Sequence, residues 1–320
     1  MDPQGLTPDQ AAKSGLPPLD AEGSGPARPS VVARWSYFIF FTGLLCTTSA
    51  PIFMRLSELG PLATGAWRMT LAVPFLALML RFEPAQSQPV AALDRKDLWL
   101  LLLSGLFFAC DLAFWNSSVM YTSVASASFL ANGAPVFVVL GSWFLFKDRP
   151  SGKFLFGLVV GIAGSAVMMS ESLAMSSRNF VGDFMSVIAA AFYASYLLSV
   201  SRLRKRASTM TLMTISSAAS AVILWGLAAI FESSLVPATT EGWLVVVGTA
   251  LLTHVAGQTM IALSLGYVSA NFSALILLVQ PVIPTLAAWL LFNETLSAMQ
   301  AVGAAGIVIG LALARPRSRV

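Results

Sequence analysis

The stretch YTSVASASFLANGAPVFVVLGSWFLF, residues 121–146, is answered 146 positions later by YVSANFSALILLVQPVIPTLAAWLLF, residues 267–292. Tyr121 falls on Tyr267, Pro135 on Pro281, Leu140 on Leu286, Trp143 on Trp289 and Phe146 on Phe292. The register continues beyond the two segments, with Ser151 on Ser297, Gly157 on Gly303 and Gly164 on Gly310. Each copy contains enough apolar residues to cross a bilayer, which takes about 20. Hydrophobic chains written twice in this way are the pattern from which transporter folds are built.

Outward from these segments the chain stays apolar: 57% of its 320 residues are hydrophobic and 11% charged, far from the composition of a soluble domain. Ten stretches are long enough to span, at residues 35–54, 62–80, 98–119, 124–146, 154–170, 184–201, 210–230, 243–262, 268–292 and 298–314. Five spans per copy is an odd number, so the second copy enters the membrane from the opposite side and the repeats are inverted. The expected fold is therefore an all-α membrane protein of ten transmembrane helices in two inverted five-helix repeats. Residues 1–34 are expected as a tail, 35–171 as the first repeat and 180–314 as the second. The stretches 98–146 and 243–292 are interrupted only at Tyr121 to Ser123 and at Gly266 to Tyr267, so each reads as a helical hairpin.

Basic residues set the orientation, because Lys and Arg flanking short loops favour the cytoplasmic side. With ten spans, the leading tail, the even-numbered connections and the C-terminus share one face. That face carries sixteen basic residues against two, Arg55 and Arg178, on the other, with Arg68 inside a span. Both termini are thus expected in the cytoplasm, and the expected membrane is the bacterial inner one. The net charge of +4 is a topology signal and not a nucleic-acid footprint. The first 34 residues are rich in Pro, Gly, Ala and Asp, too polar to bury a core, and read as a disordered tail. They lack the basic start and apolar core of a cleaved signal peptide. Cys46 and Cys110 both fall within spans and read as buried free thiols.

The run from Tyr121-Thr122-Ser123-Val124-Ala125 through Pro135 to Phe146 and Lys147-Asp148-Arg149 resembles the end of the first repeat of the EamA family of the drug/metabolite transporter superfamily. The run from Tyr267 through Gln280-Pro281 to Phe292-Asn293-Glu294-Thr295 resembles the end of the second. The resemblance extends from about Trp35 to Ala314 and implies a five-plus-five inverted repeat, a central cavity, and export or exchange of small metabolites. The first copy has Asp148 where the family motif commonly has the Glu that stands at 294.

Ionisable groups inside an apolar slab are costly unless they face a cavity or a partner, so they mark candidate sites. Three are present: Arg68, Asp111 and His254. Arg68 and Asp111 lie at similar depth on neighbouring, oppositely directed spans. They either pin two helices as a buried pair or face the cavity, where they would bind a carboxylate or take up a proton. His254, the only histidine, sits near mid-span, followed by Gly257 and Gln258 in a polar, narrow stripe. It is either a neutral hydrogen-bonding residue or a group whose ordinary pKa of about 6.5 suits proton coupling. Asp111 corresponds to Gly257 under the shift, one turn from His254.

Asn132 and Gln280 precede Pro135 and Pro281, prolines that break the helix and free a carbonyl for a ligand, or simply kink it. Trp115, Tyr193, Trp67 and Tyr196 add aromatic faces, while Trp35, Trp99 and Trp243 at span ends read as interfacial anchors. Gly157, Gly161 and Gly164, matched by Gly303, Gly306 and Gly310, form small-residue stripes for packing within the bundle or across a dimer interface, leaving monomer and homodimer open.

No Walker loop, metal-ligand cluster or cofactor motif is present, which argues against an enzyme or a pump driven by hydrolysis. The expectation is a secondary transporter in the bilayer, moving a small metabolite such as an amino acid or related zwitterion, with protons as a candidate coupling ion. The alternative cargo is an organic cation, an aromatic metabolite or a nucleotide-like solute; an intramembrane enzyme and a channel fit less well.

Overall fold

The computed structural model describes residues 31–82, 93–174, 180–283, 285, 286, 289 and 297–314. Residues 36–320 cluster as one compact unit and residues 1–35 as another. Among the described residues all regular structure is helical. The first span is α1 (Val31–Thr47) continued by α2 (Ala50–Leu56), the second α3 (Pro61–Leu80) and the third α4 (Arg95–Tyr121). The fourth is α5 (Val124–Ala131) with α6 (Ala134–Phe146), the fifth α7 (Gly152–Ala174), the sixth α8 (Phe180–Leu203) and the seventh α9 (Thr209–Phe231). The eighth joins α10 (Thr240–Gly248), a π-helix (Thr249–Gln258) and α11 (Thr259–Ser264). The ninth opens with α12 (Ala270–Leu277), and α13 (Ala298–Ala314) is the tenth.

Eight of these spans are long and apolar enough to cross a membrane, and α13 is a shorter apolar helix of 17 residues. With the ninth, which lies partly outside the described residues, they occupy the ten expected positions in a multi-pass membrane fold. Helix α1 starts at Val31 rather than Trp35, because Val31 to Ala33 extend the apolar run backwards. The rest of the expected tail, Arg178, Phe292 and Glu294 fall outside the described residues.

Helix starts follow local chemistry. Asp94, Ser123, Ser208, Thr239 and Ser269 each accept a backbone N–H from the third residue on, the standard way to satisfy an orphan donor of a first turn. Ser123 and Ser269 correspond under the 146-residue shift, so the turns of the two hairpins share even their caps.

The fourth and ninth spans break at matching places. The Gly133 N–H bonds Leu130 at 3.0 Å, and Leu278, Val279 and Gln280 bond Leu275, Ile276 and Leu277 at 3.1, 3.0 and 2.9 Å, all three residues back instead of four. These tight turns fall just before Pro135 and Pro281, which lack a donor and crowd the preceding turn.

Among the contacts that tie one repeat to the other, two stand out. Helices α7 and α13 approach so closely that a Cβ on Gly303 would lie 2.4 Å from the Met168 nitrogen, and one on Gly164 would lie 2.7 Å from the Ile307 nitrogen. The glycine stripes are therefore consumed inside the chain, between the last helix of each half. The second contact is a reciprocal pair of carboxylate caps. Glu232, after α9, accepts from Leu62 and Ala63 at 2.7 and 2.8 Å at the start of α3. Glu58, before α3, accepts from the Thr239 hydroxyl and from the backbone of Ala238 and Thr239 at the start of α10. The Thr239 hydroxyl, with these N–H groups, holds the Glu58 carboxyl below the ordinary glutamate range. On the opposite face Arg206 meets Asp97 at 2.9 Å and Asp94 at 3.4 Å.

Candidate functional site

A cavity of about 460 Å³ lies within residues 36–320, lined by both repeats. The break of the first span contributes Thr47, Thr48 and Pro51; the second span gives Arg68; the third gives Phe108, Asp111 and Trp115. Asn132 and Pro135 come from the break of the fourth, Met168 and Met169 from the fifth, and Tyr193 from the sixth. Gln258 comes from the eighth, Gln280, Pro281 and Thr285 from the ninth, and Gln300 from the tenth. Irregular backbone is tolerated at membrane depth where it lines a cavity, and three broken spans meet here. Apart from Gln258, these residues lie from about mid-span towards the loops at 57–60 and 232–239. On the other side Val138, Val139, Leu197, Val200, Leu203, Leu275 and Ile276 are buried in side-chain packing.

Seven of the eight polar and aromatic candidates meet in this cavity: Arg68, Asp111, Trp115, Asn132, Tyr193, Gln258 and Gln280, together with both prolines. The pairing of Arg68 with Asp111 does not form. Among the described residues the ion pairs within 4.0 Å are those of Arg206 with Asp94 and Asp97. Arg68 is 7% exposed, and its Nε has no hydrogen-bond partner among the described residues. Its guanidinium carbon stands 5.8 Å from the centroid of the Phe108 ring, so the cation rests on an aromatic face. Asp111 follows Phe108 by three residues on the same helix, which puts both on one side of it. Space in the cavity removes the need for each charge to close on the other.

His254 is the candidate that the fold moves elsewhere. It is 1% exposed and does not line the cavity; Phe108 does, with its ring 5.3 Å from the imidazole. Nε2 of His254 lies 2.7 Å from Ser217 Oγ on the seventh span, and Nδ1 has no hydrogen-bond partner among the described residues. This stretch of the eighth span is a π-helix, whose wider turns change the face each residue presents. Gln258 turns to the cavity and donates to the Tyr193 hydroxyl at 3.4 Å, while Gly257 packs on the first span against Gly43 and Thr47.

Two aromatic candidates also lie outside the cavity. Trp67 donates to the Leu235 carbonyl at 2.8 Å and packs edge-on to Trp225 and Trp243, so Trp243 is part of an aromatic cluster rather than a free anchor. Tyr196 lies behind Phe108, its ring 4.6 Å away and its hydroxyl 3.5 Å from Met213 Sδ.

Sequence reading missed Phe108, the Thr47–Thr48 break and Gln300. The polar cluster Thr47-Thr48-Ser49 before Pro51, inside an apolar run, was the available signal for the break. No such signal separated Phe108 from the other 20 phenylalanines of the chain. Among the described residues no three His, Cys, Asp or Glu side chains group as metal ligands. The arrangement offers a ligand one cation, one anion, neutral amides and aromatic faces.

The chain is 24% identical over 245 residues to an uncharacterized transporter of Archaeoglobus fulgidus, covering 77% of this chain and 86% of the relative. It is 26% identical over 233 residues to a pseudopaline exporter of Pseudomonas aeruginosa, covering 72% and 80%. A crystal structure shares the fold with a TM-score of 0.70 at 21% identity, covering 88% of this chain and 97% of the other. The model of the EamA-like transporter family matches twice, over residues 34–170 and 180–315. Matched along both halves, the chain belongs to the EamA-like transporter family.

Proposed function

We propose that this protein is a secondary transporter, and not an enzyme, that carries a zwitterionic metabolite, an amino acid or a close relative, by alternating access. The observation that carries the reading is that Arg68 and Asp111 both line the central cavity and do not pair with each other. A carboxylate on the ligand answers the guanidinium, and an ammonium answers Asp111. The halves 35–171 and 180–314 rock about the cavity, exposing it to one face and then the other. The excess of basic residues on the even-numbered connections supports a topology with both termini in the cytoplasm, in what we read as a bacterial inner membrane. The cavity in its present form then faces outward. A relative named as an exporter supports outward flux.

Asp111 is the group in the cavity suited to proton coupling, since His254 is sealed behind Phe108. The internal use of the glycine stripes supports a monomer. A second reading, export of an organic cation or aromatic metabolite, is favoured by one feature: Phe108, Trp115 and Tyr193 line the cavity with an Asp111 that has no cationic partner within 4.0 Å among the described residues.

Labelled amino acids exchanged into proteoliposomes preloaded with an unlabelled mixture, with and without a pH gradient, test the proposal. Saturable exchange that responds to the gradient is expected. No uptake above empty liposomes for any amino acid overturns the zwitterion reading in favour of the cation.

A further inference from the structure

Beyond its two charges the cavity wall carries polar groups that a plain amino acid would leave unanswered. Asn132 is 7% exposed, and neither its amide nor that of Gln280 has a hydrogen-bond partner among the described residues. Gln300 uses its oxygen to accept the Ser297 N–H at 3.1 Å. All three lie on the fourth, ninth and tenth spans, whereas the charges lie on the second and third. Each primary amide offers two donors and one acceptor. Burial against an apolar ligand would leave these groups unsatisfied, at a cost comparable to a lost hydrogen bond each.

A second charge on the ligand would be equally poorly placed, since a neutral amide does not compensate a buried ion. The cavity of about 460 Å³ is larger than the head group of an amino acid fills.

Resting on the zwitterion reading of this site, we propose that the cargo is an α-amino acid whose side chain ends in a neutral amide, from glutamine up to the size of a γ-glutamyl amide. The α-carboxylate lies on Arg68 and the α-ammonium on Asp111, filling the gap that keeps these side chains from pairing. The distal amide bonds Asn132 and Gln280 at the two helix breaks. A site built to bond a polar group rejects the analogue lacking it, because its own buried groups are then left unpaired.

The test is a ladder of exchange substrates in proteoliposomes holding the full-length chain: glutamine, γ-glutamylethylamide, norleucine and leucine, each as a competitor of labelled glutamine and of labelled leucine. The expected result is half-saturation about tenfold lower or more for the two amides than for norleucine. In Asn132→Leu and Gln280→Leu, the ratio of amide to norleucine is expected to fall towards one; a mere folding defect would lower all rates but leave that ratio. Equal half-saturation for glutamine and norleucine in the wild-type protein overturns this inference while leaving the zwitterion reading intact. Exchange of no zwitterion at all overturns both.

Discussion

Phe108 connects the three ionisable residues of the membrane interior: Arg68 rests on its ring, Asp111 follows it by one turn, and His254 lies behind it with its ring tilted. This division assigns different consequences to substitutions that look alike in the sequence. His254→Ala removes the hydrogen bond to Ser217 and leaves a void, and is expected to lower stability by about 1–3 kcal/mol. Thermal unfolding in detergent should show that loss while substrate exchange persists in the folded fraction. Lost exchange at an unchanged melting temperature would return the histidine to the transport mechanism. The identity of the charged groups was legible from the cost of placing them in an apolar slab. Which face His254 presented was not, because a π-helix between Thr249 and Gln258 changes the turn, and sequence periodicity assumes the regular one.

Elements here are joined across the repeat boundary more tightly than the loops suggest. The crossing of α7 with α13 leaves no room for a side chain at Gly303, where a Cβ would lie within 2.5 Å of the Met168 Cα. Gly303→Leu therefore forces the two helices apart, at a cost in the range of overpacking or above, about 1–3 kcal/mol. The folded yield on size-exclusion chromatography should fall sharply; a monodisperse variant of normal yield would contradict this packing. Glu232→Ala uncaps the start of α3, with an expected loss of about 0.5–2 kcal/mol, readable as a lower melting temperature.

Glu58, its carboxyl held below the ordinary range by Thr239, gives a pH signature. A carboxyl with a lowered folded pKa contributes stability that is complete above the unfolded value of about 4.3 and disappears as pH falls through the folded one. The melting-temperature gap between wild type and Glu58→Gln should therefore be present at pH 7 and close on acidification below that range. A gap that widens in acid would rule out the carboxylate cap. Helix starts, hairpins and the two breaks could be read from serine, threonine, aspartate and proline positions. The reciprocal caps could not, since Glu58 and Leu62 meet partners that lie 170 or more positions away.

At the scale of the whole molecule, duplication explains the design: two breaks at matching prolines, two hairpin caps at matching serines and one packed crossing between the last helices of the halves. The 146-residue shift made this architecture visible without coordinates, because repeated apolar segments of odd number leave little choice of topology. The cavity was less legible. Its charges were found, but its floor at Phe108 and its break in the first span depend on how the helices turn towards one another.

The central claim is that Arg68 and Asp111 serve the ligand rather than each other, and the most direct measurement is exchange by Arg68→Gln, Asp111→Asn and the double variant in proteoliposomes, with folding checked by thermal unfolding. Each single change is expected to lower exchange about tenfold or more in folded protein, with no recovery in the double variant. Restoration of both folding and exchange by the double change would show that the two residues are a structural pair, and would contradict the account.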